Sequence, residues 1–320
     1  MSRVYKYQSQ QPLFAHTWSC REDRPMRMAV CSCDDENRNF VELVKLRKSS
    51  QALMRLDTMA HQFPVTKVQF MPSLNTQNED LLITSSDCLR IYKIVPDNNS
   101  ERMTASGFLR SDKRRPSPVT SFDWSPLALN IVASASFDTL ISIWDLNKEV
   151  LDIQFAGHER AVNDLCFSPH DANVFVTCST DGCLRLFDRR HMEYSNQLYE
   201  TTGPLLRCGF NKIDSNFIGF VESDKQELGV LDIRNTASPI FLKRHTKAIN
   251  GFAWSPSQQN IILSCAEDGN CFVWDIQKTG QPKPTMGYDC REAAASCQWS
   301  GLNKEWCSVV HGQVLEILHI

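Results

Sequence analysis

The residues of this chain that could do chemistry come in sets that repeat. His158, Ser179 and Asp181 would, met alone, read as base, nucleophile and orienting acid. The same types return as His61, Ser85 and Asp87, and again as His245 and Asp268, with Ala266 where the hydroxyl is expected. Each aspartate is followed at a fixed distance by an aromatic: Asp138 by Trp144, Asp181 by Phe187 and Asp268 by Trp274, with Asp87 and Tyr92 one residue closer. A catalytic triad is built once. A set that recurs is a buried hydrogen-bond relay, costly when half satisfied, and His158, Ser179 and Asp181 are expected to form its fullest copy. Phe187 has no N–H, so that copy is one member short.

A second pair of motifs carries charge. Phe187-Asp-Arg-Arg190 and Leu231-Asp-Ile-Arg234 align on Asp188 and Asp232, 44 residues apart. A guanidinium is a planar fork suited to carboxylate or carbonyl partners, so Arg190 and Arg234 are candidate recognition residues. The stretch Arg110-Ser-Asp-Lys-Arg-Arg-Pro-Ser-Pro118 is basic and Pro-bearing, and reads as an exposed segment with Ser117 as a candidate phosphosite beside Arg114 and Arg115. No phosphate-binding glycine loop, nucleophile elbow, H-E-x-x-H or C-x-x-C knuckle occurs, so neither an enzyme nor a cofactor or metal is expected. Thirteen cysteines without a secretory start read as reduced, buried thiols, and place the chain in cytoplasm and nucleus.

The elements that position these residues follow from a repeat. Val65-Thr-Lys-Val-Gln-Phe70, Val119-Thr-Ser-Phe-Asp-Trp124, Val162-Asn-Asp-Leu-Cys-Phe167, Leu205-Leu-Arg-Cys-Gly-Phe210 and Ile249-Asn-Gly-Phe-Ala-Trp254 are one phrase, with fainter copies ending at Trp18 and Trp299. The anchors 18, 70, 124, 167, 210, 254 and 299 lie 52, 54, 43, 43, 44 and 45 residues apart. That period, with two-residue alternation between turns, predicts an all-β, seven-bladed propeller occupying residues 1–320 as one domain. The longer early gaps predict insertions, chiefly a loop over about 96–118. With 34 basic against 37 acidic residues the chain is near neutral, which argues against direct nucleic-acid binding, and no apolar run is long enough for a membrane helix.

Trp144-Asp145, Trp274-Asp275 and Gly157-His158 identify the repeats as similar to WD40 repeats. Within that class, His61-Gln-Phe-Pro-Val-Thr-Lys67, Leu81-Leu-Ile-Thr-Ser-Ser-Asp-Cys-Leu-Arg90, Asp181-Gly-Cys-Leu-Arg-Leu-Phe-Asp-Arg-Arg-His191, Pro204-Leu-Leu-Arg207 and Val314-Leu-Glu-Ile-Leu318 resemble one adaptor family. It contains the plant transparent-testa-glabra and anthocyanin-regulating proteins and an animal cullin-ligase-associated scaffold that binds dual-specificity kinases. The resemblance, from about residue 4 to 320, implies a non-catalytic scaffold joining such kinases and transcription regulators to other proteins, monomeric within larger complexes. The two Asp-x-Arg pairs resemble the double box of WD40 substrate receptors, which implies that Asp188, Arg190, Asp232 and Arg234 face a cullin-RING ligase adaptor. The alternative is a reader or fixed subunit of a chromatin or trafficking complex.

Counting from His158, one rim of the ring should present Glu159, Ala161 and Thr180. Its equivalents are Gln62, Pro64 and Ser86; Pro116, Pro118 and Phe137; Thr202 and Pro204; Thr246, Ala248 and Glu267; and Arg291 with Ala293. This Pro-lined rim is a candidate partner platform. The last blade supplies only three strands after residue 293, so the alternating segment Arg3-Val-Tyr-Lys-Tyr7 is expected to pair with Val314–Ile320 and close the ring.

Overall fold

The computed structural model describes residues 3–34, 38–47, 51–97, 100–111, 117–277 and 282–320. Among them lie seven antiparallel four-stranded sheets arranged as blades of a ring, a seven-bladed β-propeller. The innermost strands are Leu13–Trp18, Lys67–Phe70, Val119–Trp124, Val162–Phe167, Leu205–Phe210, Ile249–Trp254 and Ala294–Trp299, each ending on one of the seven aromatic anchors. After most anchors the chain turns on a buried serine. The amides of Ser125, Ser168 and Ser255 donate to the carbonyls of Ile131, Val174 and Ile261, which begins the next strand.

Strands of apolar and small residues form here because both faces of each sheet are covered. Ile131–Ser136 is buried over its first five residues and Arg27–Ser32 over all six. The core therefore lies between blades: Ile83 and Leu89 of the second blade pack with Phe122, Trp124 and Val132 of the third.

The wide early spacings have a different cause from the one expected. Blades one and two carry long outer hairpins, Asn39–Arg47 with Ala52–His61 and Leu89–Asp97 with Ser100–Leu109. Within the expected loop, residues 96–97 and 100–109 are therefore strand. Pro96 pairs with Glu101 inside the ladder, and Glu101 is buried against the Arg27 guanidinium at 2.6 Å, which also binds Asp80 at 2.7 and 2.8 Å. The strand is needed to neutralise a fully buried arginine between the first two blades. Lys113–Arg115 and Pro116 lie outside the described residues.

Ring closure is as expected. Arg3–Gln8 pairs antiparallel with Val314–His319, from Arg3 opposite His319 to Gln8 opposite Val314, and forms the outer strand of the seventh blade. Tyr5 stacks on Trp306 at 5.8 Å, and the Tyr7 hydroxyl donates to Glu42 of the first blade at 2.8 Å. At the inner wall, His16 joins the same two blades. Its Nδ1 lies 2.8 Å from Ser296 Oγ and its Nε2 2.8 Å from Ser308 Oγ, which also accepts the Trp18 indole N–H at 2.8 Å. Ser296 gives its proton to the Phe14 carbonyl, so it accepts from Nδ1–H and leaves Nε2 to accept from Ser308. The imidazole is held neutral. Complete burial pulls its pKa down to about 3.

Two outcomes follow from the closure. Removing residues 1–8 exposes the edge of Val314–His319 and should lower the melting temperature by at least about 5 °C and bring aggregation onset forward in a light-scattering melt. His16 gives the joint a pH dependence. Below the ordinary histidine value of ~6.5 the unfolded chain takes up a proton that the folded chain refuses, so its contribution is complete above that pH and is lost as pH falls toward about 3. Melting temperature should drop on acidification across that window, and His16→Gln should show a shallower drop.

Candidate protein-interaction surfaces

The histidine sets are relays, but with different hydroxyls from those expected. His158 Nδ1 lies 3.0 Å from Asp181 Oδ2, and its Nε2 meets Thr177 Oγ1 at 2.8 Å, not Ser179. Ser179 instead accepts the Asp181 amide and donates to the Arg160 carbonyl. Thr177 and Ser179 point to one side of their strand, and only the residue two places deeper reaches the ring. The same shift completes the sixth blade. Ser264, not Ala266, meets His245 Nε2 at 2.7 Å and the Trp274 indole at 2.9 Å, while Asp268 holds Nδ1 at 3.2 Å. In the third blade Ser134 takes the Trp144 N–H at 2.9 Å. In the second, His61 meets Thr84 at 3.3 Å rather than Ser85, its Nδ1 turns to the Phe63 carbonyl, and Asp87 pairs with Arg90. Burial lowers the pKa of His158 and His245 against the pull of their aspartates, and both nitrogens of each ring are occupied.

A further recurring set escaped the sequence reading. Thr66, Thr120, Asn163 and Asn250 each stand four residues before their anchor. Each donates to the carbonyl that starts the next blade's inner strand, at Val119, Val162, Leu205 and Ala294. A polar residue at the second place of the repeated phrase was the signal. Next to these, Asp123 accepts the Phe167 amide at 2.7 Å and Gln69 Nε2 at 3.0 Å, again across blades. The inner strands surround a channel of about 510 Å³ that holds Lys67, Asp164 and Arg207. Lys67 lies 3.3 Å from Asp164, and although burial would lower its pKa, Asp164 and Asp123 outweigh burial and raise it.

The turn between the third and fourth strands of a blade repeats as well. Asp145, Asp188, Asp232 and Asp275 each accept the amide two residues on, at 2.9, 2.9, 2.9 and 3.1 Å. The aspartate therefore makes the turn in four blades. Only blades four and five add an arginine there. Arg190 Nε lies 2.8 Å and Arg234 Nε 2.9 Å from its own aspartate, and Asp171 adds a contact to Arg190 at 3.2 Å. Arg190 holds the Asp188 carboxyl down to about 2, and Arg234 lowers that of Asp232. Both arginine side chains remain more than half exposed, at 55% and 58%. The carboxylates thus orient guanidinium groups that still face water. Exposed apolar residues share this face of the disc: Leu127, Tyr194 and Ile213 stand on its turns in blades three, four and five.

The rim counted from His158 is the opposite face, since it joins the other ends of the strands. Gln62, Pro118, Glu159, Thr202, Thr246, Glu267, Arg291 and Ala293 are exposed, and Phe137 is 66% exposed. Pro64, Thr180, Pro204 and Ala248 are half-buried, as is Ser117. Ser86 and Ala161 are buried and do not belong to the rim surface. The Ser86 hydroxyl serves Arg90 and Asp87, and its backbone carbonyl accepts the Val119 amide, while the Ala161 carbonyl accepts the Thr180 amide.

A closed ring of seven four-stranded blades, with Trp-Asp strand ends and His–Asp relays, is a seven-bladed β-propeller whose repeats resemble WD repeats. The WD domain, G-beta repeat family matches residues 109–145, 150–188 and 238–275. The chain is similar to the DDB1- and CUL4-associated factor 7 homolog of Dictyostelium discoideum, 29% identical over 99% of both chains. It is also similar to WD repeat-containing protein YPL247C of Saccharomyces cerevisiae, 28% identical over 87% of this chain and 59% of that protein. A third relative is histone acetyltransferase type B subunit 2 of Candida glabrata, 26% identical over 46% of this chain and 36% of that protein.

The relay geometry makes one outcome specific. Asp181→Ala leaves His158 Nδ1 and the amides of Glu159 and Cys183 without their acceptor. Denaturant unfolding should show a loss on the order of 1–3 kcal/mol, with the slope of the transition unchanged.

Proposed function

We propose that this propeller is a non-catalytic adaptor that docks on a cullin-RING ligase through the face bearing Arg190 and Arg234, and carries a partner protein on the opposite rim around Phe137. The observation behind this reading is the pairing of two aspartate-held, water-facing guanidinium groups at the same turn of adjacent blades, beside exposed Leu127, Tyr194 and Ile213. Arginine and aromatic side chains fixed on a rigid turn are the composition of an interface hot spot. The full-length similarity to a Dictyostelium protein named for association with DDB1 and CUL4 supports the ligase as the docking partner. The family resemblance supports dual-specificity kinases and transcription regulators as cargo, in cytoplasm and nucleus. The partial similarity to a histone acetyltransferase subunit supports a second reading, a fixed subunit of a chromatin complex.

One co-precipitation separates the two. Arg190→Ala with Arg234→Ala should reduce recovery of the ligase adaptor at least about 10-fold, a change of roughly 1.4 kcal/mol or more in binding. The melting temperature should stay within about 1 °C, because each arginine pairs only at the surface. Equal recovery by mutant and native chains would end the ligase reading, and stoichiometric recovery of histone-modifying subunits would favour the second.

A further inference from the structure

The seventh blade holds a side-chain cluster that neither the relays nor the interaction faces use. Cys290 follows the outer strand Pro284–Asp289 of the sixth blade, His311 ends the strand Trp306–His311, and Glu316 lies within Val314–His319. Hairpin register sets His311 opposite Val314, so Glu316 is two places along the same face. One sulfur, one imidazole nitrogen and one carboxylate oxygen from the three residues lie within 4.8 Å of one another. All three are buried, at 5%, 5% and 1% exposure.

We propose that Cys290, His311 and Glu316 form a binding site for a zinc(II) ion.

The hydrogen bonding supports this. His311 Nε2 and Glu316 Oε2 are buried and make no hydrogen bond among the described residues, although Nε2 stands only 3.5 Å from Glu316 Oε1. Two such atoms side by side in an otherwise satisfied blade are the mark of groups that take a ligand. His311 is also oriented from behind: its Nδ1 faces the Glu292 carboxylate at 3.4 Å, which leaves Nε2 as the coordinating atom. Gly312 makes room for that carboxylate, since any side chain there would begin 2.5 Å from Glu292 Oε2.

Charge and distance agree. A thiolate and a carboxylate together neutralise a divalent ion. Lys6 Nζ stands 2.6 Å from Glu316 Oε1, so the carboxylate already faces a positive charge. Bonds of ~2.0–2.3 Å in a tetrahedron set donors roughly 3.3–3.8 Å apart. His311 Nε2 and Glu316 Oε1, 3.5 Å apart, already meet that spacing, and Cys290, within 4.8 Å of both residues, closes it with a shift of up to roughly 1.3 Å. The thiol of Cys271 lies 3.8 Å from that of Cys290. A mixed sulfur, nitrogen and oxygen set suits zinc, whereas calcium and magnesium take oxygen alone. Lys6 and Glu292, both about 65% exposed, contact Glu316 and His311 from the surface, and Lys6 must release Glu316 for a metal to bind.

The site adjoins the ring closure, because Lys6 of the N-terminal strand pairs with Glu316. Bound zinc would tie the turn entering the seventh blade to two of its strands.

The test uses the full chain, reduced and stripped with a chelator. Cobalt(II) should bind at one equivalent, with the thiolate-to-metal absorption band and intense visible bands of a tetrahedral site, and zinc(II) should displace it and raise the melting temperature. Cys290→Ser and His311→Gln should each abolish the band. Cys33→Ser, at an exposed thiol, should retain it. Glu292→Gln, which alters only an exposed side chain, should weaken binding about 10-fold while the fold stays intact. Absence of a stoichiometric band in the native chain, or its survival in Cys290→Ser, overturns the proposal.

Discussion

A blade of this molecule has two apolar faces and no means of covering either by itself. Every sheet depends on its neighbours, and a row of sheets can satisfy both ends only by meeting itself. Ring closure is therefore the constraint on which the rest stands. It is met by Arg3–Gln8 completing the hydrogen-bonding edge of the seventh blade and by Tyr7 and His16 crossing to its neighbour. Apolar packing between blades is non-directional and would tolerate sliding. Direction comes from the polar atoms.

One set of those polar atoms points the same way round the channel. Thr66, Thr120, Asn163 and Asn250 reach forward to the next blade's first carbonyl, and Ser296 of the seventh blade reaches forward to Phe14 of the first. Each is short, so each holds the neighbouring strand at one height. With the registers set at the inner wall, the turns at the outer ends fall at matching heights, which is why Arg190 and Arg234 present equivalent guanidinium groups on a common face. The interaction surfaces thus inherit their geometry from residues that touch no partner.

Much of this was legible in the sequence. The seven aromatic anchors, the all-strand fold and the terminal clasp follow from apolar patterning and from the need to leave no free edge. The relay aspartates and histidines were legible because they repeat. Their hydroxyl partners were displaced by two residues, Thr177 for Ser179 and Ser264 for Ala266, because alternation fixes which side a residue faces but not how far along the strand the imidazole reaches. The stretch after Pro96 read as a loop because proline and charge normally end strands. Its pairing is supported by a buried arginine in another blade, which no local pattern reveals. Ser86 and Ala161 occupy rim positions by count, yet the turn folds over them. The cluster of Cys290, His311 and Glu316 has no knuckle spacing to announce it, since two turns and a hairpin assemble it.

The clasp also orders events in time. Arg3 leaves the ribosome well ahead of its partner His319, which is made more than 300 residues later. At about 5–20 residues per second that interval is roughly 15–60 s. During it, blades two to six can assemble sequentially from local hairpins, while the first blade lacks the seventh beside it and the N-terminal strand has no sheet to join. The last contact formed is also the one of greatest sequence separation, which makes closure the slow, high-contact-order step of maturation. A nascent chain of this kind spends its synthesis as an open arc with one apolar blade face uncovered at each end, and that arc is the form a chaperone would meet.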